Sequence, residues 1–158
     1  MTRLNRYLAL DWGERRIGLA ISDPSGTIAS PAGHILRRAG KRPPIAEVMR
    51  RAEALDVEGF VVGLPLDEAG GETTRSREVR AVGAALESRT GLPVILVDER
   101  YTTAIALRTV RELGGKTKDR AGDIDSLAAT VLLQHALRLA EQAGSAKIDG
   151  GLPEDGRG

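Results

Sequence analysis

The chain has 158 residues, 41% hydrophobic and 28% charged, which suits one soluble domain large enough to fold without a disulfide or a metal staple. It has no cysteine and only two histidines, His34 and His135, which excludes thiolate zinc sites, iron–sulfur clusters, a cysteine nucleophile and His-rich metal centres. The 23 basic and 22 acidic residues nearly cancel, so any interaction with a polyanion must come from segregation of charge and not from its total. The few aromatics, Tyr7, Trp12, Phe60 and Tyr101, cannot build an extended base-stacking platform.

Tyr7–Asp11 and Ile17–Ser22 are short apolar runs around the polar turn Trp12-Gly13-Glu14-Arg15-Arg16, which predicts a hairpin. Thr27–Leu36 supplies a third strand, and Pro31 within it suits a sheet edge. Pro43-Pro44 opens a helix whose apolar face is Ile45, Val48, Met49, Ala52 and Leu55. Gly59–Val62 reads as a strand buried on both faces, and Gly63–Thr73 as a polar, glycine-rich loop. Thr74–Arg89 follows as a helix with Val79, Val82 and Leu86 inward, then Pro93–Val97 as another buried strand. Thr102 and Thr103 cap a helix carrying Ala106, Val110 and Leu113 inward, which Gly114-Gly115 stop. Lys116–Gly122 reads as a charged loop. Asp125 and Ser126 then cap a last helix carrying Ala128, Val131, Leu132 and Leu139.

The order β-β-β-α-β-α-β-α-α predicts an α/β fold. An antiparallel meander is joined to parallel strands in a mixed five-stranded sheet, with helices on both faces. The domain is expected over residues 1–142, with a disordered tail over 143–158. No apolar run reaches the roughly 20 residues needed to span a bilayer, and no signal peptide opens the chain, so no membrane partner and a cytoplasmic location are expected.

Three segments deliver carboxylates to one predicted edge. Asp11 ends the first strand, Asp98-Glu99 end the last, and Asp123 and Asp125 stand at the last helix. With the first strand central, these ends meet where open α/β sheets bind ligands. Converging carboxylates call for a cation, and hard ions such as Mg²⁺ or Mn²⁺ suit their oxygens and support phosphodiester hydrolysis. Each acid also has a structural alternative: a turn at Asp11, an ion pair between Asp98-Glu99 and Arg100, a helix cap at Asp125. Strand alternation places only one of Asp98 and Glu99 on the metal side, and the pattern leaves open which.

The run from Leu10 to Asp23 contains Asp11-Trp12-Gly13, then Arg16-Ile17-Gly18-Leu19-Ala20. It resembles the opening D-x-G-x-x-R-I-G-x-A of the YqgF/RuvX family. Val61-Val62-Gly63-Leu64-Pro65, Asp98-Glu99-Arg100-Tyr101-Thr102-Thr103 and Ile124-Asp125-Ser126-Leu127-Ala128-Ala129 resemble that family's later motifs, in order. The resemblance covers nearly the whole chain except the tail. It implies an RNase H-like fold and a divalent-metal-dependent nuclease. Bacterial members of the family are linked to maturation of the 5′ end of 16S rRNA and have also been described as Holliday junction resolvases. The acids that match its motifs are Asp11, Glu99 and Asp125, expected as catalytic metal ligands, with Asp98 ranked second and Asp123 outside the motif.

Arg16 suits either a scissile phosphate or a neighbouring acid. Lys116 and Lys118, with Arg120, precede Asp125 and are expected to hold substrate phosphates. Arg37-Arg38 with Lys41-Arg42 form a second basic group, and a solvated surface is the alternative for each. Trp12 either packs in the core or stacks on a base. The expected partner is nucleic acid, either structured RNA or branched DNA. Alternatives to an RNA nuclease are a resolvase of four-way DNA junctions, which calls for a symmetric homodimer, and a non-catalytic nucleic-acid-binding domain. An actin-like ATPase needs two such domains, and this chain has length for one.

Overall fold

The computed structural model describes residues 5–38, 40–105, 107 and 118–150, with the side chains of Tyr101, 118–125 and 144–150 outside that description. Five strands form one sheet in the order β3-β2-β1-β4-β5. They are β1 (Tyr7–Trp12), β2 (Arg16–Ser22), β3 (Ala29–Leu36), β4 (Gly59–Leu64) and β5 (Val94–Asp98). The first three are antiparallel, and β4 and β5 run parallel to β1. This is the mixed sheet expected, with β1 central and the Pro31 strand at an edge. Strand β3 carries a bulge, because the pairing shifts between Gly18 and Ala20. Gly33, at φ +88, supplies the left-handed backbone that the kink needs.

Among the described residues three helices of ten residues or more cover the sheet: α1 (Ile45–Ala54), α2 (Thr74–Thr90) and α3 (Lys118–Gly150). Alternation sorts the strand residues into two cores. Leu8, Leu10, Trp12, Phe60, Val62 and Leu64 face α1 and α2, packing on Val48, Val79, Val82 and Leu86. Ala9, Ala20, Val61 and Val97 face α3, packing on Ala129, Leu132, Leu133 and Ala136. The small residues on this second face let a helix approach closely. All six residues of β4 are buried, as a strand covered on both sides requires. Each fully buried Leu, Val or Phe contributes about 1.5–3 kcal/mol.

Helix α2 starts where expected. Thr73 caps it through a reciprocal pair with Ser76, and Gly91 ends it in the left-handed region. The last helix departs from expectation. Its backbone is already helical from Lys118, so Lys118–Gly122 is not loop, and Asp125 and Ser126 are interior residues and not caps. Lys, Asp, Arg and Ala all tolerate a helix, and nothing in that stretch forces a stop. Leu139 is 46% exposed and so is not core, whereas Leu133 and Ala136 are buried. Helical backbone occurs at Ala104, Ile105 and Leu107, but Ala106, Val110, Leu113 and Gly114-Gly115 lie outside the described residues. So do residues 151–158 of the expected tail. No helix among the described residues is long and apolar enough to cross a membrane.

Candidate active site

Asp11 is the fifth residue of β1 and is fully buried. It alternates with Ala9, which places it on the α3 face of the sheet. Leu10 pairs with Val62, so Asp11 stands level with Gly63 at the C-terminal ends of the parallel strands. Glu99 follows β5 in a short 3₁₀ turn, Glu99–Tyr101, and is 1% exposed. Its Oε1 lies 2.6 Å from the position a Cβ on Gly63 would take, with a Leu132 methyl carbon 3.0 Å from the same point. The missing side chain of Gly63 is therefore the space the Glu99 carboxylate occupies. Since β4 lies between β1 and β5, Asp11 and Glu99 flank Gly63 on one face.

The same contact puts the Glu99 carboxylate, and not that of Asp98, beside Gly63 on the Asp11 face of the sheet. Asp98 ends β5 beside Leu64, in the opposite alternation. Its carboxylate accepts from Arg100 Nη2 at 2.7 Å and from the Arg100 backbone N–H at 3.1 Å. The Arg100 hydrogen bonds hold the Asp98 carboxyl below the usual range against some burial. Arg100 also donates to the Glu68 carbonyl at 3.1 Å, tying the loop after β4 to the end of β5. Asp98 is thus an anchor of the turn that carries Glu99. Thr102 completes that turn: its hydroxyl donates to the Glu99 carbonyl at 2.9 Å and accepts from the Ala104 N–H at 3.2 Å. This is the capping role expected of Thr102.

Asp125 is helical, and its side chain lies outside the described residues. Its register is informative. It stands one turn before Ala128 and Ala129 and two before Leu132, the stripe of α3 that packs on the sheet. The adjacent Ser126 is buried and fixes that register. Its hydroxyl donates to the Leu19 carbonyl at 2.8 Å and accepts from the N–H groups of Ala32 at 3.1 Å and Gly33 at 3.3 Å. These are backbone groups that the bulge withdraws from the ladder between β2 and β3. Sequence reading missed both Ser126 and the fit of Gly63. The glycine interrupting an apolar strand was the available signal for the second.

Arg16 opens β2 and is half-buried. Ile17 pairs with Trp12 and Gly18 with Asp11, so alternation puts Arg16 on the α3 face near the hairpin end. Lys116 lies outside the described residues. Lys118 is the first residue of α3, with its side chain outside them. Trp12 is 1% exposed and belongs to the core, so it is not a base-stacking surface. Its Nε1 donates to Glu78 at 3.2 Å, and the Arg37 guanidinium lies 5.2 Å from its ring centroid. Arg37 itself donates to the Gly13 carbonyl at 2.7 Å and to Glu78 at 2.8 Å. It therefore holds the hairpin turn, which takes it out of the expected phosphate-binding group.

Two buried carboxylates on one sheet face, flanking Gly63, fit a hard divalent cation by donor chemistry. Among the described residues no cluster of three such ligands forms, and the side chain of the third candidate, Asp125, is outside them.

A family model described as RuvX, Holliday junction resolvase, matches residues 5–139. A protein of Clavibacter michiganensis subsp. michiganensis named "Putative pre-16S rRNA nuclease" is 38% identical over 143 residues, covering 90% of this chain and 89% of its own. A protein of the same name from Koribacter versatilis is 40% identical over 129 residues, covering 82% and 84%. Among solved structures, T. thermophilus RuvC in complex with a Holliday junction substrate aligns with a TM-score of 0.54 at 16% identity, covering 87% of this chain and 96% of that one. At that identity the likeness concerns the fold, which is RNase H-like as expected.

Proposed function

The chain belongs to the RuvX family, and we propose that it is a divalent-metal-dependent nuclease hydrolysing phosphodiester bonds during 5′-end processing of 16S rRNA precursors in the cytoplasm. The observation that carries this reading is the burial of Asp11 and Glu99 on either side of Gly63 at the strand ends. Relatives named for this nuclease activity align over nine-tenths of the chain and support the choice of RNA. Asp11 and Glu99, with Asp125 from α3, would hold Mg²⁺ or Mn²⁺. When bound, such ions acidify a water and stabilise the leaving oxygen.

The protein's own contribution is placement. Strand β1 and the Glu99–Tyr101 turn fix two carboxylates whose rotamers the surrounding packing restricts. Helix α3, pinned by Ser126, carries Asp125 as the third. Arg16, on the same face, is assigned to the scissile phosphate, where its fork suits two oxygens. Lys116 and Lys118, at the entry to α3, are assigned to flanking phosphates. Water is the nucleophile, so no side chain need form a covalent intermediate.

The test is a paired cleavage assay with Mn²⁺ or Mg²⁺, using a 16S precursor 5′ fragment and a four-way DNA junction. Asp11→Asn is the control. Metal-dependent cutting of the RNA alone is the expected result. Symmetric cutting of the junction alone would replace it with the resolvase reading, which requires a symmetric homodimer. Binding of either substrate without cutting by the wild type would leave a nucleic-acid-binding domain.

A further inference from the structure

Beside the strand ends that carry Asp11, on the opposite face of the sheet, lies a recess. It has a volume of about 520 Å³ and lies between the hairpin turn, the segment after β3 and the start of α2. Trp12, the neighbour of Asp11, is tied to its lining, since the Trp12 carbonyl accepts from the lining Arg75 Nη1 at 3.2 Å. Trp12 thus stands between Asp11 and the lining of the recess.

The charges around this recess do not balance. Arg37 and Glu78 satisfy each other at 2.8 Å. That leaves Arg38 and Arg75 against the exposed Glu14. Arg38 is exposed and makes no ion pair among the described residues, and Lys41 and Arg42 continue the same exposed segment. Arg75 sits in the first turn of α2, and no acid occupies that turn. A cation there opposes the helix dipole, which favours negative charge at that end. The lining carries Arg37, Arg38 and Arg75 against Glu14 and Glu78, so positive charge is in surplus at the cavity. A bound anion would relieve it.

We infer that this recess is a contact for nucleic acid, holding a backbone phosphate of the strand that runs over the sheet edge beside the Asp11–Glu99 site. The inference rests on the nuclease reading for its placement of the scissile bond. A monoanionic diester suits the site, since its oxygens can accept from Arg38, Arg75 and the Thr74 hydroxyl together. Base identity does not enter, because the described lining offers no aromatic face and no amide side chain.

The experiment measures binding separately from cleavage. Fluorescence anisotropy is recorded on the full chain carrying Asp11→Asn, across a salt series, with a labelled 16S precursor 5′ hairpin RNA and a labelled four-way DNA junction. Arg38→Gln and Thr74→Glu are added singly. Arg38→Gln is expected to weaken binding roughly tenfold at low salt and to lower the salt slope by about one. Thr74→Glu is expected to weaken binding similarly while leaving the melting temperature unchanged or higher, since an acid there suits the helix dipole. A merely structural role for Thr74 cannot give that combination. In wild-type background, Arg38→Gln is expected to raise KM. A slope change with one probe only identifies which nucleic acid uses the recess. Unchanged affinity and slope in both variants overturn the inference, and the nuclease reading survives if the wild type still cuts. The expected shifts in a protein that never cuts uphold the recess and overturn the nuclease reading. Absence of binding to both probes overturns the inference outright.

Discussion

Glu99 and Gly63 are fitted to one another: the carboxylate oxygen Oε1 stands 2.6 Å from where a side-chain carbon on Gly63 would be. No real Cβ tolerates that distance, and Leu132 closes the other side at 3.0 Å. Glu99 is 1% exposed, so its carboxylate can yield only by displacing packed neighbours, and Thr102 holds the backbone of its turn.

Gly63→Ala is therefore expected to move the carboxylate and not merely to crowd a strand. Overpacking of this kind costs about 1–3 kcal/mol. A larger effect is expected on activity, because a shift of about 1 Å in a catalytic group can cost 10²-fold. Urea denaturation with steady-state cleavage separates the two. A variant with near wild-type kcat would show that Glu99 is not confined by Gly63.

Ser126→Ala tests the link between α3 and the bulge. It leaves the buried groups of Leu19, Ala32 and Gly33 without their shared hydroxyl. Leaving buried polar groups unsatisfied costs about 1–3 kcal/mol each, less whatever water restores. The specific sign is hydrogen exchange: the Ala32 and Gly33 amides are expected to lose protection while β1 and β4 amides change only with global stability. Equal protection in both proteins would remove Ser126 from this role.

Much of this architecture is legible in the residues because apolar runs ended in acids. Tyr7–Asp11 and Pro93–Asp98 announce strand ends, and Val79, Val82 and Leu86 a helix face. The choice between Asp98 and Glu99 was not legible. Alternation assigns neighbours to opposite faces but does not name the faces, and only the gap at Gly63 and the grip of Arg100 do so. The start of α3 was obscured for another reason. Asp125 and Ser126 are favoured cap residues, and nothing local shows that Ser126 spends its hydroxyl on a distant bulge. Arg37 misled in the same way, since an arginine that pins a turn reads no differently from one awaiting phosphate. The motifs point to Asp11, Glu99 and Asp125. Strand register places Asp11 and the contact with Gly63 places Glu99, while the metal-binding role of all three stays a proposal.

Acid is expected to loosen the hairpin turn from α2 through Glu78. Burial pushes its carboxyl up, but the hydrogen bond and charge of Arg37, with the Trp12 N–H and the charge of Arg75, outweigh that and hold it below its ordinary value of 4.5. A carboxyl depressed on folding contributes stability above its unfolded pKa and loses it as pH falls through the folded value. The stability difference between wild type and Glu78→Gln should thus be constant from neutrality down to about pH 5. It should then narrow progressively below 4.5. Denaturation midpoints at a series of pH values give this directly. A difference that widens on acidification would contradict the pairing with Arg37.

The carboxylate pair makes a prediction that needs no substrate. Asp11 and Glu99 are both buried on one sheet face, where carboxylate oxygens suit a hard divalent cation. Mn²⁺ is therefore expected to raise the melting temperature of the wild type, and a chelator to reverse the rise. At a free concentration of 100 times Kd, a ligand selective for the folded state stabilises by about 2.7 kcal/mol. Asp11→Asn and Glu99→Gln should each remove most of this response. Asp98→Asn should keep it, because that carboxylate is engaged by Arg100 on the turn's other side. Its own cost should be small, as for other partly exposed ion pairs, at about 0–1 kcal/mol. If Asp98→Asn abolished the Mn²⁺ response and Glu99→Gln preserved it, the assignment of the two acids would have to be reversed, and the fit between Glu99 and Gly63 would be packing alone.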